Sequence, residues 1–527
     1  MTAHSPYSLS STKLSALEKQ IEERGSPIAR GIEKEGLRTT PELNISQSDH
    51  PEALGHPLTH ASITTDYSEA LLELITPVES TRESLLNTLK ETHQHVANSI
   101  GNETLWAGSM PCRLDGEESI RIAEYGDSNI GQLKYVYRQG LGVRYGRVMQ
   151  SIAGLHFNFS LSDSFWTNYQ ATLNNTDALQ DFKSEQYFAL IRNFRRYSWL
   201  LMYLFGASPA LDKSFLADDT HNLEKLDDKG SYYKPYATSL RMGDLGYHNN
   251  AQSSLAICFN TLSNFTTTLG QAIQTPYPEY EKIGLKQDDK FIQLNTNILQ
   301  IENEYYSSIR PKRTTQSSET PRHALNAQGV EYIEVRCLDL NPFLALGISA
   351  QQIDFMDIFL LYCLMKDSPV ISESECKDSD HNFDLVVNEG RKPKLSLQKG
   401  DQQILLTDWA DTLLTEMQSI AEILDQDQED NRYKAALIEQ TQKIQNTELC
   451  PSAQVLNIMQ QESLSWLEFA GELSSKHSAI LSRKTATSET LEARFAHLAK
   501  NSFKAEQDIK LSDSLPFKTF MKDYQSE

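Results

Sequence analysis

A change of hydrophobic period near residue 350 constrains this chain more than any other feature. From about residue 28 to 345, short stretches that alternate apolar and polar residues recur between segments of helical spacing, while from about 350 onward nearly every periodic segment is helical. Leu413, Met417, Ile420 and Leu424, at steps of 4, 3 and 4, lie on one helix face, and the segments around Trp466 and Phe495 are patterned alike. The chain therefore reads as a sheet-bearing region followed by a helical layer. No repeat with a period of about 20 to 50 residues is visible, which argues against a solenoid or propeller. The polar stretches 211–232, 310–328 and 371–401 read as surface loops, none of them a domain linker.

Charge narrows the partners. Among 527 residues, 71 acidic side chains stand against 49 basic ones, a net charge of −22, and such a surface repels phosphate backbones and anionic lipid. Neither nucleic acid nor membrane is an expected partner. The longest apolar run, Ile358 to Met365 behind Asp357, is about half of the roughly 20 residues that span a bilayer and predicts a buried helix. The start, MTAHSPYSLSSTKLSALEKQ, lacks the basic-then-apolar pattern of a secretory signal, so a cytoplasmic location is expected. Cys112, Cys258, Cys337, Cys363, Cys376 and Cys450 are scattered with no CxxC pair and suggest neither a disulfide framework nor a zinc site.

Four segments alternate with period 2 and gather ionisable groups on one face. From Ala29 to Leu37, extended geometry sends Glu33 and Glu35 to the same side, about 7 Å apart. From Gly154 to Leu161, the apolar set Leu155, Phe157, Phe159 and Leu161 takes one face, and His156 and Asn158 share the other. From Glu331 to Cys337, Ile333, Val335 and Cys337 pack inward while Glu334 and Arg336 project oppositely. From Ala70 to Pro77 a single carboxylate, Glu73, interrupts a run that is apolar on both faces, where it is costly unless paired or bound to a cation.

If these faces converge, electrostatics decide what they hold. Two carboxylates about 7 Å apart repel by roughly 2 to 3 kcal/mol at an effective dielectric near 20, and Glu33, Glu35, Glu73 and Glu334 make six such pairs. Such a cluster requires cations. Hard oxygen ligands with one imidazole suit Mg²⁺ or Mn²⁺, and Mg²⁺ is commonly shared with substrate phosphates, which points to nucleotide chemistry. Neither GxxxxGK(S/T) nor GxGxxG occurs, because Gly140, Gly142 and Gly146 have three residues in the last gap instead of two. Kinase, P-loop and Rossmann readings fall away, leaving ATP bound through metals on a sheet.

Seven ordered blocks carry a resemblance: ARGIEKEGLR (29–38), ITTDYSEALLELITP (63–77), YRQGLGVRYGRVMQSIAGLHFNFS (137–160), YLFGASPA (203–210), PYATSLRMGDLGY (235–247), LQIENEYYSSIRPKR (299–313) and GVEYIEVRCLDLNPF (329–343). In these the chain resembles the proteobacterial type of glutamate-cysteine ligase. The likeness implies an α+β fold, with an antiparallel funnel-shaped sheet similar to the glutamine synthetase catalytic core, covered by helices. Residues 1–345 would be that core with interleaved helices, and 346–527 a mainly helical layer packed on it as one structural unit.

The resemblance also implies the chemistry, the ATP-dependent joining of the γ-carboxylate of L-glutamate to the amine of L-cysteine. ATP would be the co-substrate, Mg²⁺ or Mn²⁺ the metal, and a monomer the expected state. Block by block, Glu33, Glu35, Glu73, His156 and Glu334 match the metal positions, and Arg336 and Arg241 match basic groups near the reacting phosphate and carboxylate. Asp66, Tyr67, Tyr137, Arg138, Leu141, Gln150, Tyr247 and Tyr306 match the substrate pocket. Tyr67 and Gly36 stand where the nearest relatives would have Phe and Thr, a departure that bears on the shape of the cysteine pocket. A ligase for a different amine and a non-catalytic regulatory subunit are the alternative readings.

Overall fold

In the computed structural model, which describes residues 9–218, 220–246, 255, 257–315, 319–428, 430–483 and 488–526, the alternating segments become neighbouring strands. Strands β1 (Ile28–Thr39), β2 (Ile63–Thr65), β3 (Leu71–Ile75), β4 (Thr104–Leu105), β5 (Gly154–Leu161), β6 (Ile309–Lys312) and β7 (Tyr332–Asp339) form one sheet. Their order is β6-β7-β5-β1-β3-β2, with β4 paired to the end of β1, and every pairing is antiparallel. Period-2 alternation puts Ile28, Ile32, Leu155, Phe157, Phe159, Ile333 and Val335 on one face, all buried. Burial of that apolar face is the main force holding the sheet to its helices.

The helices that matter below are α1 (Arg82–Ser99), α2 (Asn129–Tyr145), α3 (Leu179–Tyr197), α4 (Ala350–Met365), α5 (Glu373–Glu389), α6 (Leu406–Asp425), α7 (Arg432–Gln445), α8 (Trp466–Leu481), α9 (Ser488–Ser512) and α10 (Phe517–Ser526). The expected buried helix is α4. The Ser349 hydroxyl caps it by accepting from the Gln352 N–H, and the helix packs against α1, α3, α6 and α7. Asp357 is tolerated there because Arg30, projecting from the apolar face of β1, donates to it from Nε at 2.8 Å and from Nη2 at 2.5 Å. One continuous core runs from Ala16 to Phe495 and takes in Leu413, Met417, Ile420 and Leu424 of α6.

The three stretches read as loops contain regular structure. Residues 211–232 contribute to a small antiparallel sheet of Ala210–Asp212, Glu224–Lys225 and Ser231–Tyr233. Residues 310–312 belong to β6, and Pro321–Gln328 is helical. The 371–401 stretch is mostly α5, capped by Ser372 and buried only along Ser379, Asn382, Val386 and Val387. A stripe that narrow leaves the average composition polar, which is why composition reads as loop.

Candidate active site

Antiparallel register assembles the polar face. Glu33 of β1 pairs with His156 of β5, Glu35 with Glu73 of β3, and Glu334 of β7 with Asn158 of β5. The five residues marked by the sequence as metal positions therefore meet. His156 Nδ1 lies 3.4 Å from Glu33 and 3.7 Å from Glu334, and its Nε2 lies 3.6 Å from Glu35. Single ligand atoms of Glu33, Glu73 and His156 all fall within 4.8 Å of one another. Arg336 Nη1 is 3.0 Å from Glu334 and 3.5 Å from His156 Nδ1. A β-bulge between Val335 and Leu338 interrupts the strict alternation at this point. The Arg336 N–H then bonds to the Ser308 carbonyl at 2.8 Å, and the guanidinium stays on the carboxylate face.

The carboxylates are held in different protonation environments. Burial, then the charges of Glu33, Asp66 and Glu35, push Glu73 far above the usual range. Burial pushes Glu35 up as well. Burial also acts against the charged form of Glu334, but Lys312, Arg336 and His156 outweigh it and hold the group well below the usual range. For Glu33 burial and Glu334 raise, while the His156 contact and Lys312 prevail and lower it. Opposite shifts within one cluster mean that these neighbouring carboxylates do not share one protonation state.

Arg241 sits under the end of β7, where its charge also acts on Glu35. Its Nη2 donates to the carbonyls of Arg336 at 2.9 Å and Leu338 at 2.8 Å, and Nε lies 3.5 Å from Asp339. Glycine is required at position 154, since a Cβ there would overlap the Arg241 guanidinium.

Beside the cluster, α2 supplies Tyr137, Arg138 and Leu141. Arg138 donates from Nε to the Asp66 carbonyl and lies over the Tyr125 ring, 4.6 Å from its centroid. The Tyr306 hydroxyl donates to Gln150 Oε1 at 3.3 Å, and the buried Gln150 Nε2 has no partner among the described residues. Tyr67 is buried, its hydroxyl against Gly142 of α2. Tyr247 lies outside the described residues.

Residues beyond the sequence reading complete the arrangement. Lys312 Nζ lies 3.3 Å from Glu334, and Arg310, paired in register with Glu334, is drawn down to about 10 by burial and then by Arg336. Both were hidden in a stretch read as loop, although their spacing of two across Pro311 is itself a strand signal. Asn158 Nδ2 donates to Glu33 Oε1 at 2.8 Å, fixing that carboxylate on the face where alternation had already placed Asn158.

A family model described as Glutamate-cysteine ligase matches residues 14–386. A glutamate-cysteine ligase of Hahella chejuensis is 50% identical over 517 residues, covering 97% of this chain and 98% of that protein. One from Pseudomonas aeruginosa is 49% identical, covering 94% of each. Among solved structures, the glutamate-cysteine ligase of Francisella tularensis in complex with AMP superposes with a TM-score of 0.89 at 35% identity, covering 95% of this chain and 98% of that one. A bifunctional glutathione synthetase of Pasteurella multocida shares the fold at a TM-score of 0.69 and 23% identity, and this chain covers 54% of it. On a family match that spans the sheet and near-complete alignment with relatives of this identity, the chain belongs to the glutamate-cysteine ligase family.

Proposed function

We propose that this protein joins the γ-carboxylate of L-glutamate to the amine of L-cysteine, converting ATP to ADP and phosphate and yielding γ-glutamylcysteine, the first step of glutathione synthesis. The observation that carries the reading is the convergence of Glu33, Glu35, Glu73, His156 and Glu334 with Arg336 on one face of a sheet belonging to this family. An acidic protein with this activity belongs in the cytoplasm. Residues 1–345 are read as its catalytic part and 346–527 as the layer that braces it.

The donor set fits Mg²⁺, with Mn²⁺ as an alternative: hard carboxylate oxygens and one imidazole, with opposed protonation shifts. Glu33, Glu35, Glu73, His156 and Glu334 would hold the metal, which when bound neutralises phosphate charge. A carboxylate is a poor electrophile because its leaving group would be oxide, so ATP must first convert it to an acyl phosphate. Arg336, held cationic by its carboxylate neighbours despite burial, is the group that follows the charge of the transferring phosphoryl. The cysteine amine, having lost its proton, then attacks the acyl carbon and the acyl C–O bond breaks to release inorganic phosphate, where water is largely excluded. A cavity of about 360 Å³ lined in part by Phe265, Leu269, Arg310, Lys312, Arg322 and Tyr332 adjoins β6 and is a candidate for the nucleoside end of ATP. Tyr67, Tyr137, Arg138, Leu141, Gln150, Tyr247 and Tyr306 are read as the amino-acid pocket, with Asp66 at its edge.

Incubation with ATP, cysteine and glutamate labelled with ¹⁸O in the γ-carboxyl tests the path. One label should appear in inorganic phosphate. Label in AMP or pyrophosphate would mean adenylylation, and turnover with simple amines in preference to cysteine would mean a different acceptor. A regulatory subunit would give no product at all.

A further inference from the structure

Helix α2 bears the candidate pocket residues Tyr137, Arg138 and Leu141, but it also carries Ile130, Leu133 and Val136, which point to a second apolar cluster separate from the main core. That cluster consists of Leu133, Val136, Leu294 and Met521, closed by Ile130, Phe291, Ile301, Phe517, Phe520 and Tyr524. Three chain segments meet in it: α2, the stretch 291–301 that leads to Tyr306, and α10 at the end of the chain. Tyr137 touches both this cluster and the main core. Gln300 ties two of the segments together, donating from Nε2 to the Tyr137 carbonyl at 3.2 Å while its Oε1 accepts the Leu294 N–H at 3.0 Å. Two walls of the pocket thus rest on one brace.

Polar contacts at the start of α2 repeat the pattern. The first turn of α2 contains no acidic residue, although an anion is favoured there by the exposed N–H groups. Asp513 supplies it from 384 residues away, accepting the Asn129 N–H at 2.6 Å. Asn129 Nδ2 donates to the Leu515 carbonyl at 2.9 Å, and Lys510 Nζ lies 2.7 Å from Asp127. A helix as short as α10 is marginal in water by itself, so it forms and docks as one unit with this cluster. The whole tail lies outside the residues 14–386 that the family model matches.

We propose that the segment from Asp513 to Tyr524 is a positioning element for amino-acid recognition, holding α2 and the stretch before Tyr306 at the spacing the cysteine pocket needs. The proposal rests on the reading of Tyr137, Arg138, Leu141 and Tyr306 as part of the amino-acid pocket, and takes cysteine as the substrate that part receives. In the full-length enzyme, Met521→Asp places a charge in the satellite cluster without touching the main core, and Asp513→Asn removes only the anion at the α2 terminus. Met521→Asp should raise KM for cysteine by about tenfold or more, in line with the sensitivity of bound geometry to small displacements, while KM for ATP changes by less than about twofold. Amide exchange should accelerate in 129–145 and 517–526, with exchange in β1 and β5 unchanged. Asp513→Asn should raise KM for cysteine by a smaller factor and Asp513→Glu should restore it, a pair that decides the matter if Met521→Asp does not fold. The exposed control Lys518→Ala should change nothing.

An unaltered KM for cysteine in a variant whose α2 exchanges faster would overturn the proposal, as would an equal rise in all three KM values together with a lower unfolding midpoint. Failure of the functional reading looks different, since the unaltered enzyme would then make no γ-glutamylcysteine while the exchange response of α2 remained.

Discussion

Glu73 of β3 stands directly across from Glu35 of β1 in the antiparallel register, on the face shared by Glu33, His156 and Glu334. Two carboxylates placed opposite each other in a largely buried sheet face repel when both are ionised, a cost that the proposed cation would offset.

The first prediction tests that balance. The folded state raises Glu73 well above its ordinary value of 4.5, by burial and then by Glu33, Asp66 and Glu35, so the folded protein holds this proton more tightly than the unfolded chain. The resulting stability is complete below about pH 4.5 and is lost as pH rises through the folded value. Glu73→Gln cannot ionise. Without divalent ions it should therefore unfold at a higher temperature than the wild type at neutral pH, and with no such advantage at pH 4. With Mg²⁺ present the order should reverse and ligation should fall by about 10²-fold or more. A variant stabilised by Mg²⁺ as strongly as the wild type would remove Glu73 from the metal site.

Arg336→Lys should lower kcat by about 10²-fold with little change in KM for ATP, because a point charge cannot reproduce a planar fork aimed at a transferring phosphoryl. Steady-state kinetics at saturating glutamate and cysteine separate the two parameters. A rise confined to KM for ATP would make Arg336 a ground-state ligand.

Arg30 and Asp357 form a fully buried ion pair, 1% and 0% exposed, between β1 and α4. Asp357→Leu alone should cost about 3 to 5 kcal/mol by leaving the guanidinium uncompensated, whereas the double change Arg30→Met with Asp357→Leu should recover most of the loss. Urea unfolding measures both. Equal destabilisation by the single and double changes would show that packing, and not the unpaired charge, sets the cost.

Lys312→Gln should act through Glu334. The folded state lowers Glu334, with burial opposing and Lys312 the first of the charges that prevail, so the group contributes stability that is present above about pH 4.5 and is lost as pH falls through its folded value. Removing Lys312 shrinks that contribution. The variant should be less stable than the wild type at pH 7, and the gap should narrow progressively below about pH 4.5. Thermal unfolding across pH checks it, and a gap that stays constant into acid would detach Lys312 from Glu334.

Period 2 placed Glu33 with Glu35, His156 with Asn158 and Glu334 with Arg336, and the all-apolar character of Ile358 to Met365 marked α4, because both patterns report a local backbone geometry. Polar average composition misread β6, whose buried residues include the charged Arg310, and α5, whose buried stripe is too narrow to dominate it. The bulge at Arg336 left no periodic trace, and the spacing of Arg310 and Lys312 did not name Glu334 as their neighbour, since both depend on a partner strand.

By itself the amino-acid sequence determined which residues share a face, which helix is buried, how strong the mutual repulsion of the carboxylates would be if they met, and, through seven ordered blocks, the family. Only the tertiary structure decided that Glu33 faces His156 and Glu35 faces Glu73, that Arg30 neutralises Asp357 across 327 residues, and that Asp513 completes the terminus of α2 across 384. Alternation is a property of neighbouring residues and survives in the sequence. Register and ion pairing depend on which distant segments pack together, and that is set by burial of the whole apolar face, to which no single stretch of sequence holds the key.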